Sequence, residues 1–372
     1  MQGGAGKIAG IGSGLRSGLC LRDAKDTQMT FNVTVLPAGR SFDVARDEAI
    51  LPAAIRQGIG LPYGCKDGAC GSCKCRLVEG RVIHGAHQLK ALSTAEEEQG
   101  YVLTCCATPQ TDVVLESKQV ASLDQFPVVK MPVRLISATR PAPDVAVLKL
   151  QLPATQTLRF HAGQYLEFLL RDGVRRAYSI ATAPHNAQAS IELHIRHMPG
   201  GVFTDHVFQS LQEKEIFRVE GPFGSFYLRE DSERPIILLA SGTGFAPIKA
   251  IIEHLQLRGG ARPVSLYWGC RSRRDLYLDD WAREASRQLP QLRYIPVLSE
   301  PLAEDAWRGR TGLVHEAVMA DWPDLAAHEV YACGAPVMVE AAQRDLSARC
   351  GLPAESFYAD AFISARDLAA GD

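Results

Sequence analysis

Net charge is nearly absent from this chain: 40 Lys and Arg face 42 Asp and Glu over 372 residues, a formal −2. That balance argues against nucleic acid or an anionic membrane as the main partner and leaves any docking patch to be local. Long apolar runs are missing too. One of the longest, residues 235–240, falls far short of the roughly 20 residues that span a bilayer. Residues 1–28 are rich in glycine, carry Lys7, Arg16 and Arg22, and interrupt every apolar cluster before a signal-peptide core can form. They read as a disordered extension, and Met29, which opens an alternating strand, is a candidate for the true start. Nor do the ten cysteines make a disulfide framework: several crowd into one segment and the rest are scattered, which suits a reducing cytoplasm. The length calls for two or three domains.

The crowded segment is residues 61–73, LPYGCKDGACGSC, with Cys65, Cys70 and Cys73 set among Gly64, Gly68 and Gly71. Glycine at that density gives up packing and costs entropy, so it must serve a backbone that turns sharply or approaches something closely. The spacing C-x4-C-x2-C, completed by Cys105, is the plant-type [2Fe–2S] ligand pattern. Four thiolates around two ferric ions concentrate negative charge. Amide N–H groups freed by the glycines can point at the sulfurs and, with burial, tune the potential. The competing readings are buried structural cysteines and a zinc site, whose thiols more often come as C-x2-4-C with a second such pair or histidines. Cys75 and Cys106 break the spacing and read as non-ligands.

Around this motif the pattern predicts a strand over 29–35, a turn at Gly39, a strand over 41–44 and a helix from about Glu48. A hairpin over 75–83, a helix capped by Ser93 and a closing strand over 111–116 follow. The order and the cysteine motif resemble a plant-type ferredoxin domain, a β-grasp fold of the α+β class, over residues 29–118. Residues 119–131 show no period and read as a linker.

Residues 132–230 alternate in short strands near 133–138, 145–152, 165–170, 177–181, 191–197 and 216–220, which suggests an antiparallel barrel. Arg176, Tyr178 and Ser179 are read together as one ligand-facing group on one of them, with Arg176 and Tyr178, two apart, on the same side and Ser179 next in the chain. A guanidinium, a ring and a hydroxyl suit a pyrophosphate with a planar conjugated ring, and they equally describe an ordinary sheet face. Residues 199–204, PGGVFT, put glycines and a hydroxyl at a helix start, where backbone N–H groups favour phosphate. Together R-x-Y-S, G-G-x-x-T and the later G-P-x-G at 221–224 resemble the flavin domain of the ferredoxin–NADP reductase superfamily, a six-stranded antiparallel FAD-binding barrel. The resemblance implies Arg176 on the flavin pyrophosphate, Tyr178 along the isoalloxazine and Ser179 near N5. It also implies Thr204 with Gly201 and Val202 on phosphate, and His194 and Arg196 beside the adenosine portion.

From residue 231 the period changes. A continuous apolar strand, the turn Gly242-Thr243-Gly244 with Pro247 at the first helical turn, and a helix open a dinucleotide-binding sheet. Further buried strands near 263–269, 292–298, 329–333 and 356–362, with helices over 278–288, 313–320 and 336–349, make residues 231–372 a doubly wound α/β nicotinamide-binding domain. Cys333-Gly334-Ala-Pro336 resembles the superfamily's C-G-x-P, which places a thiol near the nicotinamide, although a buried cysteine at a strand end is commonly only packing. Phe362 is the candidate for the aromatic that covers the flavin in related reductases. Asp275 could meet a free ribose 2′-OH while Arg271, Arg273 and Arg274 could clamp a 2′-phosphate; the resemblance favours NADH over NADPH.

The multi-domain order implies a single electron path, with hydride passing from NAD(P)H to FAD and single electrons then leaving through the [2Fe–2S] cluster to a partner protein. Ser179, Tyr178 and Cys333 are the candidates nearest the chemistry, and FAD rather than FMN follows from relatives that carry the cluster domain first. Over most of its length the chain resembles CDP-6-deoxy-Δ3,4-glucoseen reductases, which serve an iron–sulfur sugar dehydrase. It resembles reductases of phenol hydroxylases and ring-hydroxylating dioxygenases nearly as well, so an oxygenase component is the alternative acceptor. A redox sensor is the third reading, and it would not need the complete nicotinamide site.

Overall fold

The computed structural model describes residues 30–122, 126–259 and 261–363. The 1–28 extension, the start at Met29 and residues 364–372 lie outside them. The first sheet has five strands. Thr30–Leu36 pairs antiparallel with Arg40–Ala45 and parallel with Val113–Glu116, and the helix Ile50–Arg56 buries Ile50, Leu51, Ala53 and Ala54. The expected hairpin is not one. Lys74–Glu79 pairs with Tyr101–Leu103 and Val113–Glu116, while Val82–His84 turns away to pair with Ala107–Pro109. The break falls at Gly80, φ +95°, where a Cβ would lie 2.2 Å from the Asp112 carbonyl oxygen; only glycine lets the chain bend that close.

The second sheet has six antiparallel strands, in the order Arg175–Ser179, Tyr165–Leu169, Ile216–Phe223, Val129–Ala142, Val145–Gln151, Ser190–Arg196. A bridge between Ile180 and Leu193 joins the two edges, which makes the sheet a barrel. Val129–Ala142 begins inside the segment expected as a linker, because residues 129–134 find partners in Ile216–Phe223. Ala121–Ser122 likewise pairs with Ile59–Gly60. Neither pairing leaves a periodic trace in the sequence.

The third sheet is fully parallel, with Ile236–Ser241 central between Val264–Cys270 and Glu329–Gly334. Alternate residues of Ile236–Ser241 enter opposite cores. Leu238 and Ala240 meet Phe245, Ile248 and Ile251 of the helix Phe245–Arg258, while Ile237 and Leu239 meet residues of the helices Val314–Asp321 and Pro336–Cys350. Helices thus cover both faces. The strand order reverses beside Ile236–Ser241, and in such sheets ligands bind outside the carboxyl ends at that point. Among the described residues no helix is long and apolar enough to cross a membrane.

Candidate cofactor cleft

The three sheets meet around one cleft of about 1940 Å³. Cys65 and Asp67 of the cysteine loop border one end, Arg176, Tyr178 and Ser179 the middle, and Gly242, Thr243 and Pro336 the other.

In the cysteine loop the thiols stand as two pairs. Cys65 is hydrogen-bonded to Cys70, and Cys73 Sγ lies 3.2 Å from Cys105 Sγ. Two irons, each taking two protein thiolates, need that grouping. Amides point at the sulfurs: the Asp67 N–H donates to Cys65 Sγ and the Cys65 N–H to Cys70 Sγ, each at 3.4 Å. The Ala69 N–H adds to Cys65, and the Ser72 N–H and hydroxyl add to Cys70. The hydrogen bond with Cys65, helped by those amides, pulls the Cys70 thiol down to about 6 against the effect of burial. The same contact raises the Cys65 thiol, so the pair holds one anionic sulfur, the form that ligates metal, at Cys70. Gly68 and Gly71 hold φ of +71° and +74°. A Cβ on Gly68 would lie 2.7 Å from Cys106 Sγ, so Cys106 packs on the flank of the loop, 3.3 Å from Cys105 Sγ.

On the barrel wall Arg176 donates from Nη1 to the Arg175 carbonyl at 2.8 Å, and the Tyr178 ring is braced by Phe168 and Phe203. Ser179 is buried and donates its hydroxyl to Asp360. No motif singles out Asp360. Burial, with the Cys70 charge adding, pushes its carboxyl up to about 7, and a Cβ on Gly64 would lie 3.6 Å from its Oδ1. It is the Cα partner of Cys333 in the parallel sheet, so one carboxyl stands where all three sheets converge. An acidic residue inside the otherwise apolar and aromatic Phe357–Ala361 was the available signal.

Several expected contacts are already engaged within the protein. Both ring nitrogens of His194 are taken, Nδ1 by the Tyr277 hydroxyl at 2.8 Å and Nε2 by Glu192 at 2.9 Å, so no polar atom of that side chain is left for adenosine. Thr204 Oγ1 donates to the Met198 carbonyl at 2.8 Å and accepts from the Met198 N–H at 3.2 Å. The Gly201 N–H donates to the same carbonyl at 2.8 Å. These two residues therefore tie the turn. The donors left for phosphate are the first-turn amides of Val202–Gln209, which have no intrahelical acceptor and no side-chain cap. Arg196 is held by Asp144 at 2.8 Å and presses on Gly242: a Cβ there would lie 2.5 Å from Arg196 Nη1.

At the end bordered by Gly242 and Pro336, Gly244 lets its turn press on the neighbouring strand end, since a Cβ would lie 2.1 Å from the Cys333 carbonyl oxygen. Gly334, φ +137°, is pressed the same way against Ser241, whose Oγ accepts from the Ala335 N–H at 2.9 Å. Cys333 is fully buried in the core, and burial drives its thiol well above the usual range; it is neutral, with its sulfur packed. Pro247 is buried in the first turn of Phe245–Arg258. Phe362 borders the cleft and donates its N–H to the Gly334 carbonyl at 2.8 Å. Asp275 Oδ2 accepts from the Ser272 N–H and hydroxyl, both at 3.0 Å, so that oxygen staples its own loop. Arg271 and Arg274 border the cleft beside it.

Residues 33–110 match the 2Fe-2S iron-sulfur cluster binding domain, residues 132–227 the oxidoreductase FAD-binding domain and residues 238–344 the oxidoreductase NAD-binding domain. The CDP-6-deoxy-L-threo-D-glycero-4-hexulose-3-dehydrase reductase of Yersinia pseudotuberculosis is 38% identical over 338 residues, 91% of this chain and 100% of that protein. The chain belongs to the iron–sulfur flavoprotein reductases. This reductase is an NAD(P)H-dependent oxidoreductase whose cofactors are FAD and a [2Fe–2S] cluster, and the paired thiols and their amides fit the cluster. Reductase component 1 of the Comamonas terephthalate 1,2-dioxygenase is 35% identical, covering 90% of this chain and 98% of its own. Among solved structures, the Amycolatopsis cytochrome P450 reductase GcoB matches 90% of this chain and 99% of its own at 32% identity, with a TM-score of 0.73.

Proposed function

We propose that this reductase passes electrons from a reduced nicotinamide nucleotide to a separate acceptor protein, a sugar-nucleotide 3-dehydrase, and that the electrons leave one at a time through the cluster held by Cys65, Cys70, Cys73 and Cys105. The observation that carries the reading is the single cleft bordered by the cysteine loop, the strand Arg175–Ser179 and the turn Gly242–Gly244. Bound FAD supplies the conversion of a hydride into single electrons; the protein supplies position. In this reading residues 29–118, 132–230 and 231–372 serve cluster, flavin and nicotinamide in turn. Arg176 and the first-turn amides of Val202–Gln209 take the pyrophosphate, and the braced Tyr178 lies along the flavin ring. Ser179, held by Asp360, faces the ring's reactive edge. The turn Gly242–Gly244, with Pro336 and Phe362, frames the nicotinamide. Cys333 acts as packing and His194 as support.

The 3-dehydrase acceptor rests on the full-length similarity to the Yersinia protein. An oxygenase component is the second reading, favoured by the Comamonas relative. Purified protein reduced anaerobically with NADH is mixed with each class of acceptor. Reoxidation of the cluster bands by a CDP-6-deoxyhexulose dehydrase, and not by a dioxygenase terminal component, supports the first reading; the reverse outcome refutes it.

A further inference from the structure

The loop that carries three of the four thiols reaches the barrel through a charged contact made by Lys66. Lys66 follows Cys65 directly and, although not glycine, holds φ +67°. Such a backbone persists only where its surroundings fix it, and here the side chain is fixed twice. Its ammonium forms an ion pair with Glu167 and sits 3.9 Å from the centroid of the Phe223 ring. Both partners belong to the barrel. Glu167 is buried, and a buried carboxylate needs compensating charge. It receives Lys66 on one oxygen and, on the other, Arg175 Nη1 at 2.8 Å. Arg175 neighbours Arg176 in the strand that borders the cleft. Around this pair the loop makes neutral contacts: the Tyr165 hydroxyl donates to the Gly64 carbonyl at 2.9 Å, and Ser225 Oγ exchanges hydrogen bonds with the Tyr63 backbone at 2.8 and 3.0 Å.

We infer that Lys66 is a positioning residue for electron passage: the bridge Lys66–Glu167–Arg175 holds the cysteine loop docked on the flavin-side strand. It touches no reacting group. Its effect is to keep the loop's bound irons at a fixed place relative to the strand Arg175–Ser179. The contact is ionic and shared, so removing either charge should free the loop without removing a thiol. This inference rests on the electron path proposed above.

The test uses the full-length protein with Lys66→Met, which keeps the apolar stem over Phe223, and Glu167→Gln. Three quantities are measured: iron per chain with the paramagnetic signal after dithionite, amide exchange over residues 63–70, and the ratio of NADH–cytochrome c to NADH–ferricyanide rates. Iron content is expected at the wild-type level and amide exchange several-fold faster. The rate ratio should fall about tenfold, the drop expected when the docked pose falls to roughly a tenth of the population. The double variant should be no worse than either single one, because both remove the same contact. A ratio and an exchange rate within twofold of wild type overturn the inference, as does loss of iron from Lys66→Met, which would make the lysine part of cluster assembly. Failure of the wild-type protein to reduce cytochrome c overturns the electron path instead, and amide exchange then still decides the clamp.

Discussion

Gly244→Ala separates a steric role for the turn Gly242–Gly244, proposed to frame the nicotinamide, from a conformational one. Gly244 has φ −57° and ψ −12°, which any residue adopts, so torsional strain contributes nothing. Judged by backbone entropy alone, alanine at a helix start would stabilise by about 0.5–1 kcal/mol. The surroundings reverse that sign. The new Cβ would lie 2.1 Å from the Cys333 carbonyl oxygen, 2.5 Å from its carbon and 2.7 Å from Gly334 Cα. All three are backbone atoms of a central strand, so the turn has to move by about 1 Å, and overpacking of this kind costs about 1–3 kcal/mol. The net loss, about 1–2 kcal/mol, lowers the melting temperature of a domain this size by about 2–8 °C. The displaced turn should also raise KM for NADH in the ferricyanide assay about tenfold. Gly351→Asn is the control: φ 66° and ψ 20° suit asparagine, and nothing lies within 4 Å of the added Cβ. Its stability should stay within about 0.5 kcal/mol of wild type. A Gly244→Ala protein with unchanged melting temperature and KM refutes the steric account.

Asp360 makes stability depend on pH. Its carboxyl is raised to about 7 in the folded protein by burial and by the Cys70 charge, so the folded chain binds more protons than the unfolded one between about pH 4 and pH 7. Stability from this group is therefore full at the acid end and falls as pH rises through that window. Asp360→Asn should flatten the melting-temperature profile there, and an identical slope in both proteins counts against the assignment. Cys70→Ser should abolish cytochrome c reduction while sparing most ferricyanide reduction, whereas Cys106→Ser should keep its iron by colorimetric analysis; iron loss from the second would make Cys106 a ligand. Arg262 forms a buried ion pair with Glu329, with both side chains nearly inaccessible. Arg262→Met leaves that carboxylate uncompensated, which costs about 3–5 kcal/mol in urea unfolding of the nicotinamide domain; a cost under about 1 kcal/mol would show that the Tyr331 hydroxyl suffices.

Local pattern by itself determined what recurs at short range. The Cys65–Cys70–Cys73 spacing, the six barrel strands, the apolar central strand and the Gly242–Gly244 turn are all set by residues within a few positions of one another, and each was legible. The architecture followed from their order. Tertiary structure alone decided which groups are free. His194, Thr204 and Asp275 carry the right chemistry, yet both ring nitrogens of the first, the hydroxyl of the second and one carboxylate oxygen of the third are claimed by Tyr277 and Glu192, by Met198 and by Ser272, and no motif records that a hydrogen bond has been taken. Cys333 sits where the pattern put it, but only packing shows its sulfur turned into the core. Asp360 and Lys66 matter through partners far away in the chain, Ser179 and Glu167. Those contacts arise because three sheets converge on one cleft, and a burial or a charge pairing made between domains leaves no periodicity in any one of them.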